Sequence, residues 1–114
     1  MDLHPNQALQ LWRDVMVAAL QGEVPDLSTR QLALLLQIYL AAPPHTVRGL
    51  AATLDISKPA VTRALDRLAT LKLIRRKQDE DDRRSVLIQR TVPGSVFLRE
   101  FADLAVAAAG KLED

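Results

Sequence analysis

The residues best suited to bind a ligand lie in two clusters between residues 57 and 84. The first places hydroxyl groups and long cations at helical spacing, at Ser57, Lys58, Thr62, Arg63 and Arg67. The second, Asp79–Ser85, runs four carboxylates directly into two arginines, Arg83 and Arg84. An arginine presents a planar fork of donors that matches phosphate oxygens or the acceptor edge of guanine, whereas lysine and hydroxyl groups suit phosphate. These residue types favour a nucleic acid as the ligand.

Charge is distributed unevenly along the 114 residues. Residues 58–90 hold ten Lys/Arg and five Asp/Glu, a local charge of +5. The remaining residues hold five Lys/Arg and nine Asp/Glu, a charge of −4, so the net charge of +1 conceals a basic segment. Such a segment indicates an anionic partner, most simply nucleic acid. From charge alone, an ordinary solvated surface explains the pattern equally well.

Other chemistries lack the residues they require. The sequence contains no cysteine, which excludes a disulfide framework, a thiolate metal site and cysteine-based redox sensing. His4 and His45 stand alone beside prolines, and His45 is interpreted as a turn residue. The acidic run Asp79–Asp82 lacks the spaced oxygen ligands, central glycine and terminal glutamate of a calcium loop. We therefore expect no enzyme activity, no metal and no cofactor.

The N-terminal residues do not form a signal peptide, because no basic region precedes an apolar run. The longest apolar stretches, such as Leu32–Leu36, are far too short to span a bilayer. A cytoplasmic protein without a membrane partner is therefore expected.

The elements that position these residues can be predicted from capping residues and periodicity. Helices are expected over Pro5–Gln21, after the Ser28 and Gln31 capping box, over Val47–Leu54 behind Thr46, from Lys58 to about Leu71 behind Ser57, and from Thr91 and Pro93 to about Lys111. The segments "LIRRKQ" and "SVLIQRTV" predict two antiparallel strands around the polar block 79–84. This order describes a mainly α fold with a small β-hairpin, a winged helix-turn-helix.

The helix-turn-helix is the most specific of these elements. Ala51 supplies the small residue where the two helices cross, Asp55 occupies a turn position that favours positive φ, and Val61 locks the second helix onto the first. Projected at about 100° per residue, the second helix separates into two faces. The apolar face holds Val61, Ala64, Leu65 and Leu68, and the polar face holds Pro59, Thr62, Arg63, Asp66, Arg67 and Thr70.

The polar face is expected to enter a DNA major groove. Arg63 suits a guanine, Ser57, Lys58 and Thr62 suit phosphate, and Arg67 suits either. The alternative for this helix alone is an amphipathic helix with an ordinary wet face.

Three stretches carry a resemblance to a known family: "LSTRQLALLLQI", "TVRGLAATLDISKPAVTRALDRLATLKLIRRK" and "DEDDRRSVLIQRT". They resemble the MarR (multiple antibiotic resistance regulator) family of bacterial transcription regulators, without a gap from about Leu27 to Gly94. The resemblance implies a symmetric dimer on a pseudo-palindromic operator in double-stranded DNA, with recognition helices in the major groove and wings in the minor groove. It implies DNA contacts at Ser57, Lys58, Pro59, Thr62 and Arg63. It also implies a minor-groove arginine at Arg84 that Asp82 holds in place.

The resemblance implies one winged helix-turn-helix domain over residues 1–114. Residues 28–91 would form the DNA-binding lobe with the wing at 73–91, and residues 1–26 and 92–112 would contribute to dimerisation. Family members usually carry a further C-terminal helix at the dimer interface. Since no segment for it follows residue 112, we expect a homodimer to use the first and last helices, with Leu11, Trp12 and Leu20 as the candidate surface. The family also implies a small aromatic effector, for which no residue pattern here identifies a site.

The predicted function is that of a sequence-specific repressor. The alternative is a winged-helix domain that binds proteins and has lost specific DNA binding. Arg63, Arg67, Arg83 and Arg84 favour DNA. Many family members carry arginine where this sequence has Asp81, so one basic contact is expected to be missing. Asp79, Glu80 and Asp81 form either a solvated loop tip or a device that weakens non-specific attraction to phosphate.

Overall fold

The computed structural model describes residues 2–112 and has the predicted winged helix-turn-helix architecture. Its elements are α1 (Pro5–Gln21), α2 (Thr29–Leu40), α3 (Val47–Leu54), α4 (Lys58–Thr70), β1 (Ile74–Gln78), β2 (Val86–Arg90) and α5 (Val92–Gly110). The order of the elements matches the prediction, α1 and α3 have the predicted bounds, and the other boundaries differ by at most two residues.

Three helices begin where a side chain satisfies an amide of the first turn. Ser28 Oγ accepts from the amide of Gln31 at 3.1 Å, and Gln31 Oε1 accepts from the amide of Ser28 at 2.9 Å. Thr46 and Ser57 cap α3 and α4 through their hydroxyl oxygens in the same way. These bonds supply acceptors for amides that have no partner within the helix, which is why the caps located the boundaries in advance.

The chain forms two compact units, Leu27–Ser95 and Met1–Asp26 with Val96–Asp114. In the Leu27–Ser95 unit, α2 packs on α4 through fully buried aliphatic side chains. These are Leu34, Leu35 and Ile38 from α2, and Val61, Leu65 and Leu68 from α4. Leu73, Ile74 and Ile88 extend this core into the hairpin. Burying each such side chain stabilises the lobe by about 1.5–3 kcal/mol in transfer free energy, so this core is what supports the hairpin and α4.

The other unit contains α1 and most of α5. Val15, Phe97 and Ala108 are buried, and the rings of Phe97 and Phe101 stack with centroids 6.5 Å apart. Several large apolar side chains of α1 remain exposed, among them Leu9 at 67%, Trp12 at 58% and Leu20 at 74%.

The hairpin pairs Ile74 with Arg90, Arg76 with Ile88 and Gln78 with Val86 in antiparallel register. The outer edge of β2 is held by the amide of Ile88, which donates to the carbonyl of His45 at 2.9 Å. His45 is itself buried, and its Nε2 lies 3.2 Å from the carbonyl oxygen of Ala41. This histidine therefore serves the turn before α3.

Two residues, Tyr39 and Arg90, tie the hairpin to α2 through long-range hydrogen bonds. Tyr39 Oη donates to the carbonyl of Leu73 at 2.7 Å and accepts from the amide of Thr91 at 2.9 Å. A Cβ on Gly94 would overlap Tyr39 Oη and the Leu73 carbonyl, so only glycine fits there. Arg90 donates to the carbonyl oxygens of Ile38 and Ala41 and so closes the end of α2.

Candidate nucleic-acid interface

The turn between α3 and α4 has the conformation that the sequence predicts. Asp55 is left-handed, with φ 53° and ψ 49°. The amide of Ile56 donates to the carbonyl of Ala51, and Ala51 is only 8% exposed at the crossing of the two helices. Val61, completely buried, fixes α4 against this turn. The turn thereby determines which side of α4 faces outward.

The two faces of α4 agree with the helical projection. Its buried side chains are Ala60, Val61, Ala64, Leu65 and Leu68. The exposed side, here termed the reading face, consists of Pro59, Thr62, Arg63, Asp66, Arg67 and Thr70. Ser57 and Lys58 are also exposed, at the start of the helix. The α4 residues predicted to contact DNA therefore share one surface.

The cations on this surface are available for a ligand. Within residues 2–112, the side chains of Lys58, Arg63 and Arg67 form no ion pair or hydrogen bond. Ser57 Oγ accepts from the amide of Ala60 at 3.2 Å, and a hydroxyl used in this way can still donate its own proton. The arrangement can bind anionic oxygens and base acceptors.

One acidic residue lies on the reading face, and its charge is compensated from the hairpin. Arg76 Nη2 lies 2.6 Å from Asp66 Oδ1 and 3.5 Å from the carbonyl oxygen of Thr62. The pair joins the first strand of the hairpin to the middle of α4. Sequence reasoning missed it, since its two partners come from different elements whose register only the fold defines.

Hydrogen bonds within the hairpin tip give a structural role to two of its four carboxylates, Asp79 and Asp82. Asp82 Oδ1 accepts from the backbone amide of Arg84 at 3.1 Å and from its Nε at 3.3 Å. Asp79 Oδ1 accepts from the amide of Asp81 at 2.9 Å, a bond that shapes the turn. Arg84 and Arg83 are exposed, as the prediction of a wing requires.

An open groove of ≈ 630 Å³ lies between α3, α4 and the hairpin tip. It is here termed the α3–wing groove. Its lining consists of Thr46, Val47, Arg48, Lys58, Asp82, Arg84, Ser85 and Val86. The fold therefore brings Lys58 of the first cluster and Arg84 of the second to the same depression. It adds Arg48, which the sequence analysis did not select.

Two further observations concern other classes of site. Within residues 2–112, no group of three or more His, Cys, Asp or Glu side chains is arranged to hold a metal ion. None of the helices in this part of the chain combines the length and apolarity needed to cross a membrane.

Comparison with known proteins identifies relatives of this arrangement. Residues 26–85 match the model of the MarR family. No protein of curated function matches the chain in sequence.

Three solved structures illustrate the shared fold. The transcriptional regulator Tm0710 from Thermotoga maritima superposes with a TM-score of 0.76 at 19% identity, covering 93% of this chain and 72% of that one. The transcriptional repressor CouR, bound to a 23-mer DNA duplex, gives a TM-score of 0.72 at 24% identity over 92% of this chain and 71% of that one. The S. aureus MepR–DNA complex gives a TM-score of 0.67 at 23% identity, over 90% of this chain and 75% of that one.

Proposed function

The chain belongs to the MarR family of winged-helix transcription regulators, and from this premise we propose that it is a sequence-specific repressor that binds double-stranded DNA. The observation that carries the proposal is the reading face of α4, which presents Arg63 and Arg67 with no partner within residues 2–112. CouR and MepR, which share the fold, are both found with DNA. CouR is described as a repressor, and this supports the same role here.

In the proposed complex, α4 enters the major groove. Arg63 reads a base edge, because its fork can donate two parallel hydrogen bonds to guanine O6 and N7. Ser57, Lys58 and Thr62 bind phosphates and fix the position of α4 along the duplex. Pro59, in the first turn of α4, contacts the sugar–phosphate backbone of the DNA. Arg67, farther along the reading face, binds a phosphate or a base. Asp66 does not repel the DNA strongly, since Arg76 compensates its charge.

The hairpin acts as the wing. Arg84 inserts into the flanking minor groove, where narrow A·T-rich sequence concentrates negative potential and attracts a guanidinium. Asp82 directs Arg84 through its two hydrogen bonds, and Arg83 adds a phosphate contact beside it. No step of this proposal is enzymatic or requires a metal or a cofactor.

The proposed active form is a homodimer. The unit Leu27–Ser95 serves as the DNA-binding lobe, and the other unit, with α1 and most of α5, serves dimerisation. The exposed Trp12 and Leu20 of α1 support this assignment, because large apolar side chains on a free surface mark an interaction site. Light scattering at micromolar concentration checks it. A mass of about 12.6 kDa, that of one chain, would contradict the dimer.

The decisive experiment for DNA binding is a salt titration with a random duplex and with an operator selected from a random-sequence pool. A protein that neutralises phosphates loses affinity with a log–log slope of about −0.9 per contact. The competing function, a winged-helix module that binds proteins, predicts little or no DNA affinity at low salt. Flat or undetectable binding would overturn the proposal.

A further inference from the structure

We propose that the α3–wing groove seats the one sugar–phosphate strand that separates the major groove from the neighbouring minor groove, and that Arg48 is a phosphate-binding residue within it. This inference rests on the proposed function. It assigns one particular strand of the DNA to this groove and adds Arg48, which neither the family match nor the sequence motifs identify.

The geometry of duplex DNA leads to this assignment. A major groove and the adjacent minor groove are separated by a single sugar–phosphate strand. A protein with α4 in one groove and the hairpin tip in the other must therefore straddle that strand. Lys58, in the first turn of α4, and Arg84, at the hairpin tip, both line the α3–wing groove. The strand between the two DNA grooves has to run through the depression between these side chains.

The lining has the chemistry that a phosphate requires. Arg48, from the first turn of α3, lines the groove together with Lys58 and Arg84. Arg48 is exposed, and within residues 2–112 its side chain has neither an ion pair nor a hydrogen bond. An arginine in this state retains all five N–H donors for the oxygens of a phosphate.

The single carboxylate in the lining does not cancel these charges. Asp82 Oδ1 already accepts from the amide and the Nε of Arg84. Its Oδ2 lies 3.5 Å from the hydroxyl of Ser85. Both oxygens of Asp82 thus interact with residues of the wing, and Asp82 forms no pair with Arg48 or Lys58. These two cations remain to bind the strand.

The test compares Arg48→Ala with Arg99→Ala in the full chain. Arg99 lies on α5, is exposed and pairs with Asp103. Arg99→Ala therefore removes the same charge from a residue that does not line the groove. Arg48→Ala should weaken binding to the selected operator and to random DNA by a similar factor and reduce the salt slope by about 0.9. Arg48→Lys should restore the slope, and Arg99→Ala should leave it unchanged. Arg48→Gln replaces the alanine variant if thermal melting shows that Arg48→Ala is unfolded.

A second measurement locates the phosphate. Methylphosphonate substitution removes the charge of one phosphate at a time in the operator. The phosphate between the major-groove contacts and the flanking minor groove should weaken wild-type binding when neutralised, and should have no further effect on Arg48→Ala. An unchanged salt slope in Arg48→Ala, while the wild type still binds DNA, overturns this inference alone. Absence of DNA binding by the wild type overturns the proposed function and this inference together.

Discussion

Asp82 holds Arg84 at the wing tip through one oxygen, which accepts from the backbone amide at 3.1 Å and from Nε at 3.3 Å. The Arg84 side chain is 92% exposed, whereas that of Asp82 is 46% exposed. A half-shielded carboxylate thus sets the direction of an arginine that is otherwise surrounded by water. The pair contributes little to folding at this exposure, so we infer that its role is to pre-orient the guanidinium for the proposed DNA contact.

Replacing Asp82 by alanine should lower the ratio of operator affinity to random-DNA affinity. Without Asp82, the side chain of Arg84 would have to be ordered when DNA binds, and immobilising such a side chain costs about 0.5–1.5 kcal/mol. Fluorescence anisotropy with both duplexes measures the ratio, and the melting temperature should remain unchanged. Asp103→Ala, which also frees an arginine but on α5, is the matched control. An unchanged ratio for Asp82→Ala would mean that the wing arginine needs no partner.

Asp81 should limit non-specific binding. Asp79 has a structural role in the turn, whereas within residues 2–112 the side chains of Glu80 and Asp81 form no hydrogen bond or ion pair. Asp81→Arg changes the local charge by two and should raise affinity for random DNA more than for the operator, because the operator complex already has its strongest minor-groove contact. Competition with sonicated random duplex measures both. Equal gains on both duplexes would leave Asp81 as a solvated loop residue.

Arg63→Ala should weaken operator binding by about 1–3 kcal/mol and relax preference at one base pair. The physical reason is the loss of a bidentate contact on a base edge. Affinities for the operator and its single-base variants test this, with Arg99→Ala as the control for loss of one charge. If specific and random DNA weaken by the same factor, Arg63 binds phosphate and does not read a base.

Arg76→Ala should reduce DNA affinity without removing any DNA contact. The substitution leaves Asp66 uncompensated on the reading face, where it repels phosphates, and releases β1 from α4. The pair is partly exposed, so about 0.2–1 kcal/mol of folding stability is expected to be lost.

The double variant Arg76→Ala with Asp66→Asn separates these two effects. Neutralising Asp66 should recover the part of the affinity that repulsion removed, and affinity for random DNA is the direct measure. No recovery would show that Arg76 acts only by holding the hairpin or by touching DNA itself.

Val61→Asp and Thr62→Asp are adjacent substitutions with opposite expected outcomes. Val61 is completely buried, so an unpaired carboxylate there should unfold the lobe. Thr62 lies on the reading face, so Thr62→Asp should keep the fold and lose DNA affinity through repulsion. Circular dichroism melting and DNA binding measure the two effects. A folded Val61→Asp protein would mean that the faces of α4 are inverted.

Local signals predicted most of the fold. Ser28, Thr46 and Ser57 located the starts of three helices because each cap is a bond within four residues of sequence. The periodicity of α4 separated its buried side from its exposed side for the same reason. The left-handed conformation of Asp55 was predicted because this position in a helix-turn-helix favours positive φ.

What escaped prediction depends on contacts between distant segments. Arg76 reaches Asp66 only once the hairpin has folded back along α4. Tyr39 and Thr91 are hydrogen-bonded although they are 52 residues apart in sequence, and neither residue type predicts such a bond. Lys72 adopts a left-handed conformation with φ 63°, although lysine has no preference for it. Arg48 resembles any exposed helical arginine until the fold places it beside Lys58 and Arg84.

The bond from the amide of Ile88 to the carbonyl of His45 protects the hairpin against strand pairing between copies of this protein. A two-stranded hairpin ordinarily has two edges with unsatisfied backbone groups, and such edges invite strand pairing between neighbouring molecules. Here the turn before α3 occupies part of the β2 edge. On the other strand, the exposed cationic side chains of Arg75 and Lys77 make approach of a second β1 electrostatically unfavourable. The hairpin can therefore project from the lobe while remaining resistant to strand pairing with a neighbouring molecule.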